Sequence, residues 1–159
     1  MLHFNLTNEN NHNLNCIDVS QVEDMTYLFY KLLDKTNLNI NISEWDVSKV
    51  KSMHSMFKDS KFNGDISQWN VSNVKDMNYM FCNAEFNQDI SNWNVSNVKK
   101  MEGMFYLSQF TKSLRNWNVS NVTNLEPSKS TVTTLFSLIC FKLIVLVTTL
   151  PTLLTAALT

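Results

Sequence analysis

Residues 65–81, DISQWNVSNVKDMNYMF, and residues 89–105, DISNWNVSNVKKMEGMF, are nearly the same text written twice at a spacing of 24. The spacing extends through four tryptophans, each of which opens the pattern W-[DN]-V-S-x-V: Trp45, Trp69, Trp93 and Trp117. A fixed period of this size is typical of repeat proteins whose units share one continuous core. A catalytic site needs unlike groups that converge on one point, so the regular placement of like groups favours a scaffold.

The repeats predict a division of the chain into four parts. A degenerate first copy begins near residue 17 with IDVSQVEDMTYLF, and four extra residues within YKLLDKTNL precede the next copy. We expect this insertion, near residues 31–35, to protrude as a loop. The repeat region is therefore predicted to span residues 17–126, with units starting near 17, 45, 69, 93 and 117. Residues 1–16 form a polar arm that covers the first unit, residues 127–130 form a linker, and residues 131–159 form a hydrophobic segment.

Within one unit, apolar residues recur at steps of three, three, three and one: Val71, Val74, Met77, Met80 and Phe81. This spacing predicts a helix. The serine before it is the expected N-cap and recurs in each copy: Ser20, Ser48, Ser72, Ser96 and Ser120. The stretch DISNWNV is rich in β-branched and aromatic residues and predicts a short strand. Stacked copies would share a core and a parallel sheet, so the predicted fold is an α/β, leucine-rich-repeat-like solenoid of about four and a half coils of 24 residues, followed by a C-terminal hydrophobic helix.

The apolar positions that repeat are predicted to form a ladder in the core. The tryptophans could instead stack sugars or bases on exposed rings, but they share their register with Val and Ile positions, which favours burial. The methionine pairs fill gaps in the same core. The predicted ladder consists of Trp45, Trp69, Trp93, Trp117, Met53, Met56, Met77, Met80, Met101, Met104, Phe62, Phe86 and Phe110.

Two rows of charged residues invite other roles. Asp65 and Asp89 occupy one repeat position and could attract calcium, but calcium takes about six to eight oxygen ligands, so backbone capping is the favoured role. Lys51, Lys75 and Lys99 form a second row, for which we expect a solvated face because acidic residues are interleaved. No metal site is expected.

Composition and motifs argue against catalysis and nucleic-acid binding. Thirteen Lys and Arg against fourteen Asp and Glu give a net charge of −1, without the basic balance of nucleic-acid binders. The three histidines, His3, His12 and His54, take part in no Ser-His-Asp, Cys-His or H-x-x-x-H arrangement. We expect the chain to have no enzymatic activity and to bind no cofactor. A glycan hydrolase acting through Asp65 and Asp89 is the rival interpretation, but its carboxylates need unlike environments and equivalent repeat positions offer like ones.

The C-terminal stretch differs in composition from the repeats. From residue 131 to residue 158 there is one charged residue, Lys142. We expect residues 135–150 and their flanks to form a transmembrane helix, since about twenty apolar residues span a bilayer. A lysine at the centre costs about 2.5–3.5 kcal/mol, which the surrounding Leu, Ile, Val and Phe offset. Because no N-terminal signal peptide is visible, the matching topology is a tail anchor with the repeats in the cytosol. A frame-shifted end and a soluble cap are the alternatives.

The text FNQDISNWNVSNVKKMEGMF resembles the repeat of the BspA-like leucine-rich-repeat surface proteins, of the type found in mycoplasma lipoproteins. The resemblance covers residues 17–125. It implies a role at a cell surface, in adhesion or in binding other macromolecules, and no catalytic activity of the repeat.

Variable positions between the repeated ones predict where a partner binds. The candidate binding face consists of Lys58, Asn78, Cys82, Glu85 and Gln109, and the expected partner is a protein or a glycan at a cell surface. The alternative is a truncated or degenerate copy of a repeat protein with no specific partner. Oligomeric state is left open.

Overall fold

The computed structural model describes residues 11–31 and 39–124. Two short strands, β1 (Asn11–Asn13) and β2 (Asn39–Asn41), pair in parallel, with Asn11 opposite Asn39. Part of the predicted N-terminal arm therefore enters a sheet. No residue within the two described ranges is helical, and these two strands are the only extended elements there that are longer than a single bridge. The predicted α/β, leucine-rich-repeat-like solenoid of helices and strands is therefore wrong.

The described backbone after β1 consists of successive units, which we define as residues 14–31 with 39–41, then 42–65, 66–89, 90–113 and 114–124. Each unit lies against the next through equivalent residues. Single-residue parallel bridges join Asp24 to Ser52, Ser52 to Asp76, Asp76 to Lys100, and Lys100 to Asn124. Residues 24 apart in the later units are thus neighbours in space, because the repeat period is also the path length of one unit.

Tight turns form each unit. In residues 66–89 the N–H of one residue donates to the carbonyl three residues earlier in five places: Trp69 to Ile66, Val74 to Val71, Met80 to Met77, Cys82 to Tyr79 and Ala84 to Phe81. The same turns recur in residues 42–65, so the sequence repeat is a repeat of turns.

The helix predicted for residues 71–81 is absent for a physical reason. Consecutive turns also return apolar side chains to the same side every three residues, so the spacing alone does not distinguish them from a helix. Tyr79 and Asn83 have φ angles of 55° and 51°, in the left-handed region that a right-handed helix excludes. The N–H groups of Met77 and Tyr79 donate to Lys100 and Glu102 carbonyls in the next unit, each at 2.8 Å, instead of to a carbonyl four residues back.

Short polar side chains hold the first two turns of each unit. Asp89 Oδ1 accepts the N–H of Ser91 at 2.9 Å, and Trp93 N donates to Ile90 O at 3.1 Å, so the stretch DISNWNV is a turn and not the predicted strand. Asn94 Oδ1 accepts both the N–H of Ser96, at 3.2 Å, and its hydroxyl, at 2.7 Å. These are Asx turns, in which the Asn or Asp side chain replaces a backbone acceptor. The serines predicted as helix N-caps are therefore donors to Asp46, Asn70, Asn94, Asn118 and Asp18.

The interior contains rings stacked from unit to unit. Trp45 and Trp69 lie parallel with ring centroids 6.4 Å apart, and Phe57 and Phe81 with centroids 5.5 Å apart. The buried indole of Trp69 donates from Nε1 to the carbonyl of Ile42 at 3.0 Å, so its polar atom is satisfied. Of the predicted ladder, Met101 and Phe110 are partly exposed, and these residues are buried: Trp45, Trp69, Trp93, Trp117, Met53, Met56, Met77, Met80, Met104, Phe62 and Phe86.

A second, exposed ladder consists of asparagines. Asn73, Asn97 and Asn121 each donate from Nδ2 to the carbonyl of the serine 25 residues earlier, at 2.7 Å. These bonds satisfy carbonyls that the turns leave unpaired and hold each unit to the one before it.

Several predictions fall outside the described residues in whole or in part. These are the polar arm over its residues 1–10, the insertion loop near residues 31–35 over its residues 32–35, the linker at residues 127–130, and the hydrophobic helix of residues 131–159. Within residues 11–31 and 39–124, the structure contains no helix with the length and apolar character needed to cross a membrane.

Candidate interaction surface

Four six-residue turn segments lie at equivalent places in successive units: residues 26–31, 54–59, 78–83 and 102–107. We call this surface the turn ridge. Its third and fourth positions point inward and are almost invariant, with Leu or Met followed by Phe in each segment. The fourth position holds Phe29, Phe57 and Phe81, each at most 1% exposed, and the partly exposed Phe105. The remaining positions carry different residues from one segment to the next.

Two positions of each ridge segment have left-handed backbone angles. The second position holds Tyr27, Ser55, Tyr79 and Gly103, with φ between 52° and 58°, and the sixth holds Lys31, Asp59, Asn83 and Leu107, with φ between 51° and 57°. Glycine and asparagine adopt this region readily, whereas a residue with a bulky side chain does so at a cost of about 1–2 kcal/mol. The backbone therefore imposes strain wherever the ridge displays Tyr27, Tyr79 or Leu107.

Four rings form a continuous contact along the ridge, which we call the ring strip: Tyr30, Tyr27, His54 and Tyr79. Neighbouring ring centroids are 5.5, 5.3 and 6.2 Å apart in that order, and the rings meet edge to face at 70–79°. This is a favourable geometry for aromatic pairs. Tyr27 is 43% exposed and Tyr30 is 37% exposed, so the strip is accessible to solvent.

Polar contacts tie the ring strip to later units. Tyr27 Oη lies 3.2 Å from His54 Nε2, within hydrogen-bond distance, and His54 Nδ1 lies 3.8 Å from Asp76 Oδ1. The other carboxylate oxygen of Asp76 accepts the Lys100 ammonium at 3.1 Å. One chain of contacts therefore crosses from the first unit to the fourth.

Tyr79 anchors the far end of the strip. Its hydroxyl donates to Glu102 Oε1, and this bond, together with burial and the Glu102 charge, raises the pKa of Tyr79 to about 12. Glu102 Oε2 accepts the side-chain amide of Asn124 at 3.1 Å. The Tyr79 ring also covers Gly103, where a Cβ atom would lie 2.5 Å from Tyr79 Cε1. Glycine at this position therefore avoids both the cost of a side chain at a φ of 56° and a clash with the ring above it.

Lysine ammonium groups approach two rings of the strip. Lys31 Nζ lies 5.1 Å from the ring centroid of Tyr30, and Lys58 Nζ lies 5.6 Å from that of Tyr79. Cations at this distance from a ring face are attracted by its quadrupole. The ridge therefore combines aromatic faces with charges of both signs.

The predicted binding face is only partly at the surface. Asn78 is 8% exposed and Cys82 is 5% exposed, and burial raises the pKa of the Cys82 thiol. Lys58 is half-buried on the ridge, and Glu85 and Gln109 are exposed. Asn78 and Cys82 are therefore interior residues: Asn78 Oδ1 accepts the N–H of Glu102 at 2.7 Å.

Glu85 and Gln109 share a shallow surface depression of about 250 Å³. Leu107 lies at its edge, and at 55% exposure it is the most exposed large apolar residue among those described. Asp59 and Asn83 also line the depression and are joined by a hydrogen bond of 2.9 Å from Asn83 Nδ2 to Asp59 Oδ1. The depression therefore continues the ridge on the side of its sixth positions.

The predicted rows of charge either cap turns, form an ion pair or lie exposed at the surface. Asp65 and Asp89 cap turns by accepting the N–H of the serine two residues later, each at 2.9 Å. Lys51 forms an ion pair with Glu23 at 2.7 Å, and Lys75 and Lys99 are exposed. Within residues 11–31 and 39–124, no three His, Cys, Asp or Glu side chains are grouped so that they could hold a metal ion.

The sequence interpretation missed the ring strip, although a signal was present. Aligning the ridge segments gives TYLFYK, HSMFKD, NYMFCN and EGMFYL. A large aromatic residue thus stands where another copy has Ser or Gly, and the repeat does not require it. Such substitutions mark surface positions at which the fold leaves the choice of residue open.

Comparison with known proteins places the repeat region in a family. The family model described as "Mycoplasma protein of unknown function, DUF285" matches residues 2–85 and 32–135. The chain belongs to this family. The description of the family assigns no function to its members. No curated protein and no solved structure matches the chain.

Proposed function

We propose that this chain is a non-catalytic interaction module that binds a macromolecular partner through the turn ridge. The observation that carries the proposal is the contrast within each ridge segment. The inward third and fourth positions repeat as Leu or Met and Phe, whereas the other four positions differ between the segments and, apart from the buried Ser55, Asn78 and Cys82, are at least partly exposed. Repeat scaffolds bind through surfaces of this kind, with a constant interior below a changing exterior.

Two further features support a binding role. Leu107 and Tyr27 are exposed although the backbone at both positions is left-handed, which disfavours large side chains. The resemblance of the repeat to BspA-like surface proteins agrees with a partner at a cell surface, whether protein or glycan.

The rival interpretation, a glycan hydrolase acting through Asp65 and Asp89, receives less support. Both carboxylates accept a backbone N–H in the same kind of turn, so their environments are alike. A pair of catalytic carboxylates needs environments that separate their pKa values.

We also propose that residues 131–159 anchor the module in a membrane, on the strength of their apolar composition with one charge between residues 131 and 158. Carbonate extraction of membranes that carry the full chain, beside a version ending at residue 128, tests this. The full chain should stay with the membranes. Recovery of both proteins in the supernatant would contradict anchoring.

Cell binding tests the interaction role. Fluorescently labelled full chain is added to intact cultured animal cells and to cells of the producing organism, and bound fluorescence is measured by flow cytometry over a range of concentrations. We expect saturable binding that falls when the ridge is altered by the double substitution Lys58→Glu, Leu107→Asn. The matched control carries Lys75→Ala and Arg115→Ala, which are exposed side chains outside the ridge.

Binding no greater than that of an unrelated repeat protein would contradict the proposal, and would favour a degenerate repeat copy without a partner. Equal loss in the ridge variant and the control would show that the ridge is not the binding surface.

A further inference from the structure

We propose that the ring strip, Tyr30, Tyr27, His54 and Tyr79, is the docking surface for a protein partner, with the exposed tyrosines as its energetic anchors. The inference rests on the proposed function, because it names the part of the ridge and the class of macromolecule that the interaction module engages.

The fold does not require these rings. The position of Tyr27 is occupied by Ser55 and Gly103 in other units, and the turn that follows is the same. In each of these units, the carbonyl at this position accepts the N–H of the residue three positions later. The distance is 3.2 Å for Tyr27, 3.2 Å for Ser55 and 3.0 Å for Gly103. The position of Tyr30 is likewise occupied by Lys58 and Cys82 in other units. The tyrosines are therefore not explained by formation of the turns.

Tyr27 is also placed against a backbone preference. Its φ of 58° lies in the left-handed region, which disfavours residues with a Cβ atom and favours Gly or Asn. The chain uses Gly at the equivalent position 103, so an unstrained alternative is compatible with the unit. A bulky, strained and exposed residue at such a place points to a role outside folding.

The geometry of the strip favours a protein over a glycan or a nucleic acid. Successive rings meet at 70–79°, so they do not form one flat platform on which consecutive sugars or bases could stack. Both acids and bases lie beside the rings, which disfavours a polyanion. A corrugated surface of phenol rings and mixed charges is typical of protein interfaces, where tyrosine is enriched among the residues that carry most of the binding energy. The charged neighbours are Lys31, Lys58, Asp76, Lys100 and Glu102.

Selection from displayed random peptides tests the inference and does not require the natural partner to be identified. The full chain is used to enrich peptides from a phage library, and an array of immobilised glycans is probed in parallel. Dissociation constants of the enriched synthetic peptides are then measured by fluorescence polarisation for the wild type and three variants: Tyr27→Asn, Tyr30→Ala and Arg115→Ala.

We expect the peptides to bind Tyr27→Asn and Tyr30→Ala about tenfold or more weakly, as for truncation of an interface anchor. Arg115→Ala removes an exposed side chain outside the ridge and should bind as the wild type does. Thermal melting separates docking from folding. Tyr27→Asn loses the ring contacts to Tyr30 and His54 but relieves the left-handed strain, because Asn tolerates that backbone. Its melting temperature should therefore lie within about 4 °C of that of the wild type.

Four results would overturn the inference. Peptides that bind all variants equally well would place protein docking elsewhere, and a library that yields no peptide beyond selection on an unrelated protein would argue against protein docking. Glycan binding that is lost in Tyr27→Asn would make the strip a sugar site. A melting temperature lowered by about 4 °C or more in Tyr27→Asn would show that the fold needs the ring. In each case, saturable cell binding by the wild type would leave the proposed function standing.

Discussion

The inward and outward positions of the turn ridge differ in burial and in sequence variation, although they lie within the same six residues. Phe57 and Phe81 lie inward, are fully buried, and stack on each other with an interplanar angle of 1°. Tyr27 and Leu107 lie outward, are exposed, and sit on a backbone conformation that disfavours them. The repeat sequence therefore specifies the inward positions, whereas the outward residues change from unit to unit.

The same backbone accommodates constant inward residues and changing outward ones because equivalent backbone hydrogen bonds join successive units. Phe57 N donates to Met80 O at 2.9 Å and Phe81 N to Met104 O at 2.9 Å, irrespective of the outward side chains beside them. Stability should therefore respond strongly to inward changes and weakly to outward ones.

The largest expected effect is that of Phe81→Ala. Phe81 is fully buried between Phe57 and Phe105, with centroids at 5.5 and 5.7 Å, and it also contacts Phe86 at 4.1 Å. Removing the ring leaves a cavity beside the three rings that it contacts. The free energy of unfolding of the full chain should fall by about 3–5 kcal/mol. Urea denaturation followed by tryptophan fluorescence measures it.

Phe110→Ala is the matched control for this prediction. It is the same chemical change in a ladder residue that is partly exposed, so the expected loss is less than half as large. Equal losses of unfolding free energy in the two variants would show that burial does not determine how much a ladder residue stabilises the chain.

The sequence predicted part of this organisation. The period of 24, the identity of the ladder residues and their stacking from unit to unit follow from the text, because equivalent apolar positions must meet if each unit lies on the next. The local conformation did not follow. Turns and helices both return side chains every three to four residues. The left-handed angles at residues such as Tyr79 and Ser55, and the hydrogen bonds donated to the next unit, distinguish them here.

The candidate surface was predicted only in part, also for a physical reason. Variation between repeats marks positions that the fold tolerates, but it does not say which of them face solvent. Asn78 stands at a variable position but is buried, with its amide oxygen accepting a backbone N–H of the next unit, and Cys82 is likewise variable and buried. The ring strip depends on contacts between residues 27 apart in the first units and 25 apart later, which the period of 24 does not reveal.

A smaller effect is expected where the two kinds of position meet. Gly103→Ala places a Cβ atom on a residue with φ of 56° and brings it 2.5 Å from Tyr79 Cε1. The left-handed backbone alone should cost about 1–2 kcal/mol of unfolding free energy. Displacement of the Tyr79 ring should also weaken its bond to Glu102.

Absorbance titration reports that displacement. The wild type should show one of its four tyrosines titrating near its pKa of about 12, and in Gly103→Ala that pKa should fall towards 10.0. Because the folded-state pKa is raised, the stabilisation is complete below pH 10.0 and is lost as pH rises through about 12. If Gly103→Ala costs as much in a Tyr79→Ala background as it does alone, the ring does not contribute to the effect.

Asn97→Ala tests the exposed asparagine ladder. Its Nδ2 donates to the carbonyl of Ser72 at 2.7 Å, and the alanine variant leaves that carbonyl to solvent. A loss of about 0.5–1.5 kcal/mol is expected, because water replaces part of the bond. Asn92→Ala, an exposed asparagine of the same unit, provides the control and should change unfolding by much less. Equal effects would mean that the ladder is a by-product of the repeat and does not hold the units together.

The smallest expected effect concerns acid. The N–H of Ser91, with help from its hydroxyl, lowers the pKa of Asp89 below 3.8 in the folded chain. A carboxyl whose pKa is lowered by folding stabilises the fold fully above its unfolded value of 3.8, and that contribution disappears as pH falls through the folded value. Asp89→Asn keeps the acceptor oxygen, as Asn94 does in the same kind of turn, and removes the titration. Its melting temperature should match that of the wild type near neutral pH and fall less as the pH drops below 3.8. The converse change, Asn94→Asp, should increase the acid sensitivity, since it adds a titrating cap to the turn that follows. Identical pH profiles for all three proteins would mean that the caps contribute nothing as charged groups, and that they act only through the geometry of the turn.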